Sequence, residues 1–363
     1  MKVGILTFPN SVSYGACLQM LALQDTVRRM GHEVEIINYH NPYMKREKHT
    51  EKGRNPIKRA IRRRVRLLLH WRLYRRFRRF EQSRAAAYPA RPFTDRTRLR
   101  EIGGRYDAVI CGSDQVWNPH ITDTDLSYFL DFCGPDTRRI AYAPSFGVEE
   151  FPQGFDKAVA AELTQFHALS AREESGRRMV ERLTGRETPL VVDPTWLVDA
   201  ADWAAMEQPH PAADGDYVLY FVVNQSKELL QRCRAFARAH GLKVVVIGGN
   251  PLTARFRQAP TLTYATDVGP EQWLYLVRNA RYVFTNSFHG TAFSVLFQRE
   301  VYVQYPAHNG SRLRQVLESL GMEDHRVCEG DPLTETPINY ERARTVFAQM
   351  KQASLKYLEN ALL

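Results

Sequence analysis

Residues 282–297 read Tyr-Val-Phe-Thr-Asn-Ser-Phe-His-Gly-Thr-Ala-Phe-Ser-Val-Leu-Phe. Tyr282 to Thr285 has the β-branched and aromatic composition of a short buried strand. From about His289 to Phe297 the stretch reads as a helix, and Ser287 just before it is a residue of N-cap type. A strand that passes into a helix through a few small polar residues is half of a wound α/β unit.

The same alternation recurs on both sides. Strand Lys2–Thr7 leads to a helix over Tyr14–Met30, with Leu18, Leu21, Ala22 and Val27 at helical spacing and Gly31 to stop it. Val34–Asn38 is the next strand, and this βαβ order predicts a parallel sheet with right-handed crossovers. Further strands are expected at Tyr106–Cys111 and Arg139–Ala143, then a polar helix from about Arg172 to Leu183. Residues 206–216 combine two prolines with small and polar residues and read as a linker. Beyond them come strands Tyr217–Val223, Lys243–Ile247 and Val301–Gln304, with helices Lys227–His240, Pro270–Arg278 and Arg312–Leu320. With 363 residues, two domains are expected. They are Rossmann-like, doubly wound α/β domains facing a cleft, the first over 1–205 and the second over 217–339, with a closing helix at 340–363. Loops at the carboxyl ends of the strands are then the place for a site.

Charge is concentrated in one place. Between Lys45 and Arg84 seventeen Lys and Arg stand against three acids, an excess larger than the +10 of the whole chain. Within that segment Ile57, Ile61, Val65, Leu68, Leu69, Leu73, Phe77 and Phe80 recur at steps of mostly three and four. The insertion at about 45–84 is therefore a helix with one apolar and one cationic face. It fits a solvated face packed on the first domain, an anionic membrane surface, or nucleic acid, although no nucleic-acid recognition motif accompanies it. No apolar run is long enough to span a membrane, and the N-terminal apolar stretch is cut by Pro9. Five scattered cysteines without metal-ligand spacing point to reduced thiols in the cytoplasm.

Several junctions could carry chemistry. At Thr285-Asn286-Ser287-Phe288-His289-Gly290 small polar side chains meet a helix N-terminus, whose backbone N–H groups suit an anion. His289 could add a donor or a proton, and Gly290 could let a ligand approach the backbone. Equally, Ser287 could be a plain cap. Asn309-Gly310-Ser311-Arg312 precedes another helix, and an arginine in a first turn opposes the dipole unless an anion lies nearby; a plain surface arginine is the alternative. In Cys111-Gly112-Ser113-Asp114-Gln115-Val116-Trp117-Asn118-Pro119, the residues Asp114, Gln115 and Asn118 could hold sugar hydroxyls and Trp117 could stack on a sugar ring. A turn with a core tryptophan fits that stretch as well. Ser145 and Arg172 sit at comparable strand ends, and Gly248-Gly249-Asn250 is a weak phosphate-loop candidate. Walker-type, dinucleotide, HExxH and Gly-x-Ser-x-Gly patterns are missing, so no metal is expected.

With these blocks in order, the sequence resembles the polysaccharide pyruvyl transferase family. The resemblance is carried by Ser13-Tyr14-Gly15-Ala16-Cys17-Leu18-Gln19, the Asp107–Pro119 stretch, Ala141-Tyr142-Ala143-Pro144-Ser145-Phe146-Gly147, Arg172-Glu173, Val192-Asp193-Pro194-Thr195-Trp196-Leu197 and Thr285–Gly290. It implies a GT-B-like fold and an enzyme that moves the enolpyruvyl group of phosphoenolpyruvate onto two sugar hydroxyls. The sugar would belong to a polysaccharide, such as an exopolysaccharide, or to its lipid-linked precursor. Phosphoenolpyruvate would be a co-substrate, with no tightly bound cofactor, and the protein would be cytoplasmic or peripheral at the inner membrane face. Donor binding would fall to Thr285, Asn286, Ser287, His289, Gly290, Arg312 and Arg172. Acceptor binding would fall to Tyr14, Gly15, Ser113, Asp114, Gln115, Trp117, Asn118 and Ser145, with His289, Asp114 and Arg172 catalytic. A GT-B-type glycosyltransferase using a nucleotide sugar, or a non-catalytic glycan- or membrane-binding homologue, is the alternative.

Overall fold

A computed structural model describes residues 1–9, 11–43, 56–148, 150–248, 261–306 and 310–363, with only the backbone of residues 56–69. The 45–55 part of the basic segment, Gly249, Asn250 and Asn309 lie outside the described residues. The chain groups into two compact units. The first holds Met1–Lys52, Glu81–Val198 and Ala348–Leu363; the second holds Gly53–Phe80 and Asp199–Phe347.

Each unit is built on a five-stranded parallel sheet. In the first, β1 (Lys2–Leu6), β2 (Glu33–Tyr39), β3 (Ala87–Phe93), β4 (Ala108–Cys111) and β5 (Arg138–Ala141) lie in the order β3-β2-β1-β4-β5. In the second, β6 (Tyr217–Phe221), β7 (Lys243–Ile247), β8 (Leu262–Ala265), β9 (Tyr282–Thr285) and β10 (Glu300–Val303) lie in the order β10-β9-β6-β7-β8. The expected pair of wound α/β units is present. In both sheets the chain winds outward on one side and then returns to the other side of its first strand. The winding therefore reverses between β1 and β4, and between β6 and β9. Such switch points are where open α/β sheets bind ligands.

Eight helices matter below: α1 (Tyr14–Arg29), α2 (Pro56–Arg84), α3 (Glu174–Thr184), α4 (Lys227–Ala239), α5 (Pro270–Arg278), α6 (Phe288–Leu296), α7 (Ser311–Leu320) and α8 (Tyr340–Leu362). Most match the apolar spacing to within a residue or two. Strands β3 and β8 escape it. β3 carries Pro89 and Pro92, which suit a sheet edge because they cannot donate to a ladder, and among the described residues it pairs only with β2. β8 is four residues long and also an edge strand. Leu190 forms an isolated bridge with Ala171.

The C-terminal part of α8 packs on the first unit. Tyr357 Oη donates to the Ala141 carbonyl (2.8 Å), and Ser354 Oγ accepts from Val192 N–H (2.9 Å). Leu358 is fully buried there. No helix among the described residues is long and apolar enough to cross a membrane. Truncating Leu358 to Ala is expected to lower stability by about 2–5 kcal/mol, read as a shifted midpoint in urea unfolding followed by tryptophan fluorescence.

Candidate functional site

In the second unit the junction of β9 and α6 lies on the switch point. Asn286 follows the last residue of β9, and its side chain reaches across to the end of β6. Its Oδ1 accepts from Val223 N–H (2.9 Å) and its Nδ2 donates to the Asn224 carbonyl (2.7 Å). One amide thus continues the β6–β9 pairing past the point where the strands part. Thr285 Oγ1 accepts from Ser287 N–H (3.0 Å), and Ser287 Oγ caps α6 by accepting from Gly290 N–H (3.2 Å). All three side chains are buried and shape the turn.

Gly290 has a packing reason. A Cβ there would lie 2.4 Å from Thr285 Oγ1 and 3.1 Å from Phe221 Cδ1, so the first turn of α6 rests directly on the strands. His289, half-buried beside it, stands in that first turn. No acid stands in the first turn of α6 or α7. α7 follows β10, the neighbour of β9, so both helices begin at the same edge of the sheet and pack on one another. Arg312, half-buried, is the second residue of α7, whose cap Gly310 offers no side chain. Two helix N-termini bearing a histidine and an arginine make this edge electropositive. α4, which follows β6, does carry Glu228 in its first turn, but that carboxylate accepts from Gln304 Nε2 (3.0 Å) and ties the end of β10 to α4.

In the first unit the switch point lies between the end of β1, followed by the N-terminus of α1 with Tyr14 and Gly15, and the end of β4, followed by Ser113 and Asp114. Ser13 caps α1, accepting from Ala16 N–H (3.4 Å). Asp114 has φ 85°, a left-handed conformation that aspartate tolerates better than most residues. Its Oδ1 accepts from Gln115 N–H (2.8 Å), and its carbonyl accepts from Ser145 N–H (2.9 Å). Ala143, at the end of β5, also sits at positive φ (53°). Its N–H is held by Ser170 Oγ (3.1 Å), which donates in turn to the Ala141 carbonyl (2.7 Å). Strained residues at two neighbouring strand ends are the kind of feature that collects at ligand sites. Asp114 and Gln115 are half-buried; Asn118 is buried, donates to Gln115 Oε1 (2.8 Å) and caps the next turn by accepting from His120 N–H (3.0 Å).

Beneath these loops runs a buried polar network. Arg172, its side chain 2 % exposed, donates from Nη1 to Asp193 Oδ2 (2.9 Å) and Ser113 Oγ (3.2 Å), and its Nε lies 3.6 Å from Glu173 Oε2. Ser113 Oγ donates to Asp193 Oδ2 (3.2 Å), and Ser145 Oγ donates to Glu173 Oε1 (2.6 Å). Asp193 Oδ1 accepts from the N–H (3.1 Å) and hydroxyl (2.8 Å) of Thr195. Burial opposes the Arg172 charge, but Asp193, then Glu173 and Asp114, outweigh it and raise its pKa above the ordinary arginine value. Breaking a buried pair of this kind is costly.

One sequence expectation is corrected by this geometry. Trp117 does not present its ring to a ligand: it is fully buried, donates from Nε1 to the Tyr128 carbonyl (2.9 Å), and stacks on Phe129 with ring centroids 5.2 Å apart. Arg172 lies in the first unit within a carboxylate network, where its charge holds strand ends together. Glu173 and Asp193 stand in the family blocks with no role evident from sequence; Ser, Arg, Glu and Asp at successive strand ends are the signal of this network. Among the described residues no group of three His, Cys, Asp or Glu is placed to hold a metal ion.

A family model for polysaccharide pyruvyl transferase matches residues 14–303. The chain belongs to this family. The matched stretch takes in both switch points, from Tyr14 through Asp114 to His289. No curated protein sequence matches the chain. Among solved structures it is similar to a Listeria monocytogenes protein assigned as a UDP-N-acetylglucosamine 2-epimerase (10 % identity, covering 99 % of this chain and 90 % of that one, TM-score 0.55). It is similar also to the UDP-GlcNAc 2-epimerase of Neisseria meningitidis bound to UDP-GlcNAc (9 %, 99 % and 94 %, 0.52). A third similar structure is Anabaena HepE in complex with UDP and glucose (11 %, 100 % and 99 %, 0.51). At these identities the likeness is one of fold, and it places the pyruvyl transferase chain among two-domain GT-B-type proteins.

Two outcomes are expected of this geometry. Asp193→Ala strips Arg172 of its closest carboxylate and lowers stability by about 3–5 kcal/mol, measurable by urea unfolding. Gly290→Ala, forced against Thr285 Oγ1, costs about 1–3 kcal/mol, and adding Thr285→Ala recovers part of that loss in the same measurement.

Proposed function

We propose that this pyruvyl transferase takes phosphoenolpyruvate as donor and forms a pyruvate ketal across two hydroxyls of a sugar, in a polysaccharide or its lipid-linked precursor. The observation that carries this reading is the electropositive carboxyl edge of the second unit, where α6 and α7 start without first-turn acids and bring His289 and Arg312. A small ligand with a phosphate and a carboxylate suits such an edge, since each helix N-terminus favours negative charge. Family membership supports the transferase class.

The donor loses its phosphate and its double bond in the proposed reaction. The methylene carbon of phosphoenolpyruvate takes a proton and becomes a methyl group, leaving oxocarbenium character at the neighbouring carbon. One sugar hydroxyl adds there, the C–O bond to phosphate breaks, and the second hydroxyl closes the ketal. Of the two hydroxyl protons, one balances the new methyl group and the other leaves with phosphate. His289 is assigned to bind the donor anion and to exchange a proton, a task for which an imidazole offers two ring nitrogens that can donate or accept. Arg312 is assigned to neutralise donor charge. The acceptor is assigned to the carboxyl edge of the first unit, where Asp114 would hold or deprotonate a hydroxyl and Tyr14, Gly15, Gln115 and Asn118 border the switch point. Ser113, Ser145, Arg172, Glu173 and Asp193 act on that edge by positioning it.

Isothermal titration of the purified protein with phosphoenolpyruvate tests the donor. Micromolar to millimolar binding is expected, weakened roughly ten- to a hundred-fold in His289→Ala, the span of one hydrogen bond to a charged group. Circular dichroism should be unchanged in that variant. Unaltered binding in His289→Ala would overturn the placement at α6, and heat with a UDP-sugar but none with phosphoenolpyruvate would point instead to a glycosyltransferase.

A further inference from the structure

From Pro56 to Arg84 the cationic segment that the family blocks leave unexplained is a helix, and its two faces can be told apart from residue 70 onward. Phe77 and Phe80 are buried, at 3 % and 2 % exposure, and Leu73 and Tyr74 are half-buried. Arg76, at the border, lies 3.7 Å from Asp267 and packs its Cβ against Gly269 at the start of α5. These residues seat the helix. Trp71, Arg72, Arg75, Arg78, Arg79 and Gln82 are exposed. At about 100° per residue, they fall within one continuous arc of roughly 120° on the outer side.

That arc has a composition with a physical meaning. Trp71 is 48 % exposed and is the sole aromatic among the exposed large hydrophobic residues of the described chain. The Arg72 and Arg75 guanidinium carbons each lie 5.8 Å from the centre of its ring. Four arginines occupy the arc without a carboxylate among them, since the nearby Glu81 is buried. Leaving an indole ring in water is unfavourable, and a bilayer interface is the surface where an indole and arginine side chains are both satisfied. The ring settles at headgroup level, the aliphatic stems lie along apolar surface, and the guanidinium groups meet phosphates.

We propose that the outer face of α2 from Trp71 to Arg79 docks this protein on an anionic phospholipid surface. Nucleic acid fits the same charge less well, because single-strand binding is built from several aromatic platforms along a groove, whereas this face is one convex helix with one ring. The proposal does not depend on which donor the enzyme uses.

Vesicle flotation at about 0.1 M salt tests it. The protein is expected to float with phosphatidylcholine vesicles containing phosphatidylglycerol and to stay behind with phosphatidylcholine alone. Each arginine near such a surface is worth about five-fold in partitioning, so Arg75→Gln with Arg79→Gln should lose roughly thirty-fold. Trp71→Ser should weaken binding independently. Both variants should keep the wild-type unfolding midpoint and calorimetric binding of phosphoenolpyruvate, since neither side chain set belongs to the donor edge. Equal recovery on neutral vesicles, unchanged partitioning of the arginine variant, or tight retention by single-stranded DNA that strips the protein from anionic vesicles would each overturn the proposal.

Discussion

Parallel strands end by leaving backbone N–H and carbonyl groups without a ladder, and satisfying them at the two switch points is the constraint on which the rest of this structure rests. In the second unit the amide of Asn286 takes the N–H of Val223 and gives to the carbonyl of Asn224, holding the ends of β6 and β9 together. In the first, the Ser145 N–H donates to the Asp114 carbonyl, and beneath them the Arg172–Asp193 charge pair draws Ser113 after β4 and, through Glu173, Ser145 after β5 into one side-chain network. An unsatisfied buried group costs about 1–3 kcal/mol, and more when it is charged. The polar residues that look most like ligand contacts are therefore the ones the fold can least spare.

In the proposed reaction, chemistry falls to the residues that this scaffold presents. Around β9 and α6 the buried Thr285, Asn286 and Ser287 make the turn, and His289 stands half-buried in the first turn of the helix. Around β4 the serine and arginine are sealed beneath, and Asp114 stands half-buried in a left-handed turn whose carbonyl is pinned by Ser145. A buried, hydrogen-bonded layer under a few partly exposed groups is the arrangement a positioned acid, base or anion donor requires, because its geometry is set before a ligand arrives.

Much of the secondary structure was legible because apolar spacing is a local property. β9, α5 and α8 appear at the residues their patterns indicate. β3 was not legible, since its prolines argue against a central strand and only its place at the sheet edge makes them harmless. The roles of side chains were less legible than their places. Gly290 offers the same sequence whether a ligand or Thr285 lies against it, and the 2.4 Å approach of a hypothetical Cβ to Oγ1 is a tertiary fact. Trp117 is equally ambiguous in sequence, because an indole is both a good sugar platform and a good core residue, and only the surrounding Phe129, Phe146 and Phe166 decide it.

The sequence by itself determined the alternation of strands and helices, hence the wound parallel sheets, together with the motif blocks that mark the family and the long cationic helix. These follow from periodicity, from residue type and from order along the chain. Tertiary structure alone decided which polar residues face one another. Arg172, Asp193, Ser113 and Glu173 lie up to eighty positions apart, and nothing local reveals that they form a single buried network. It likewise decided which arc of the basic helix is buried, because a helix bearing apolar and charged residues at mixed spacing shows its seat only against the residues it packs on.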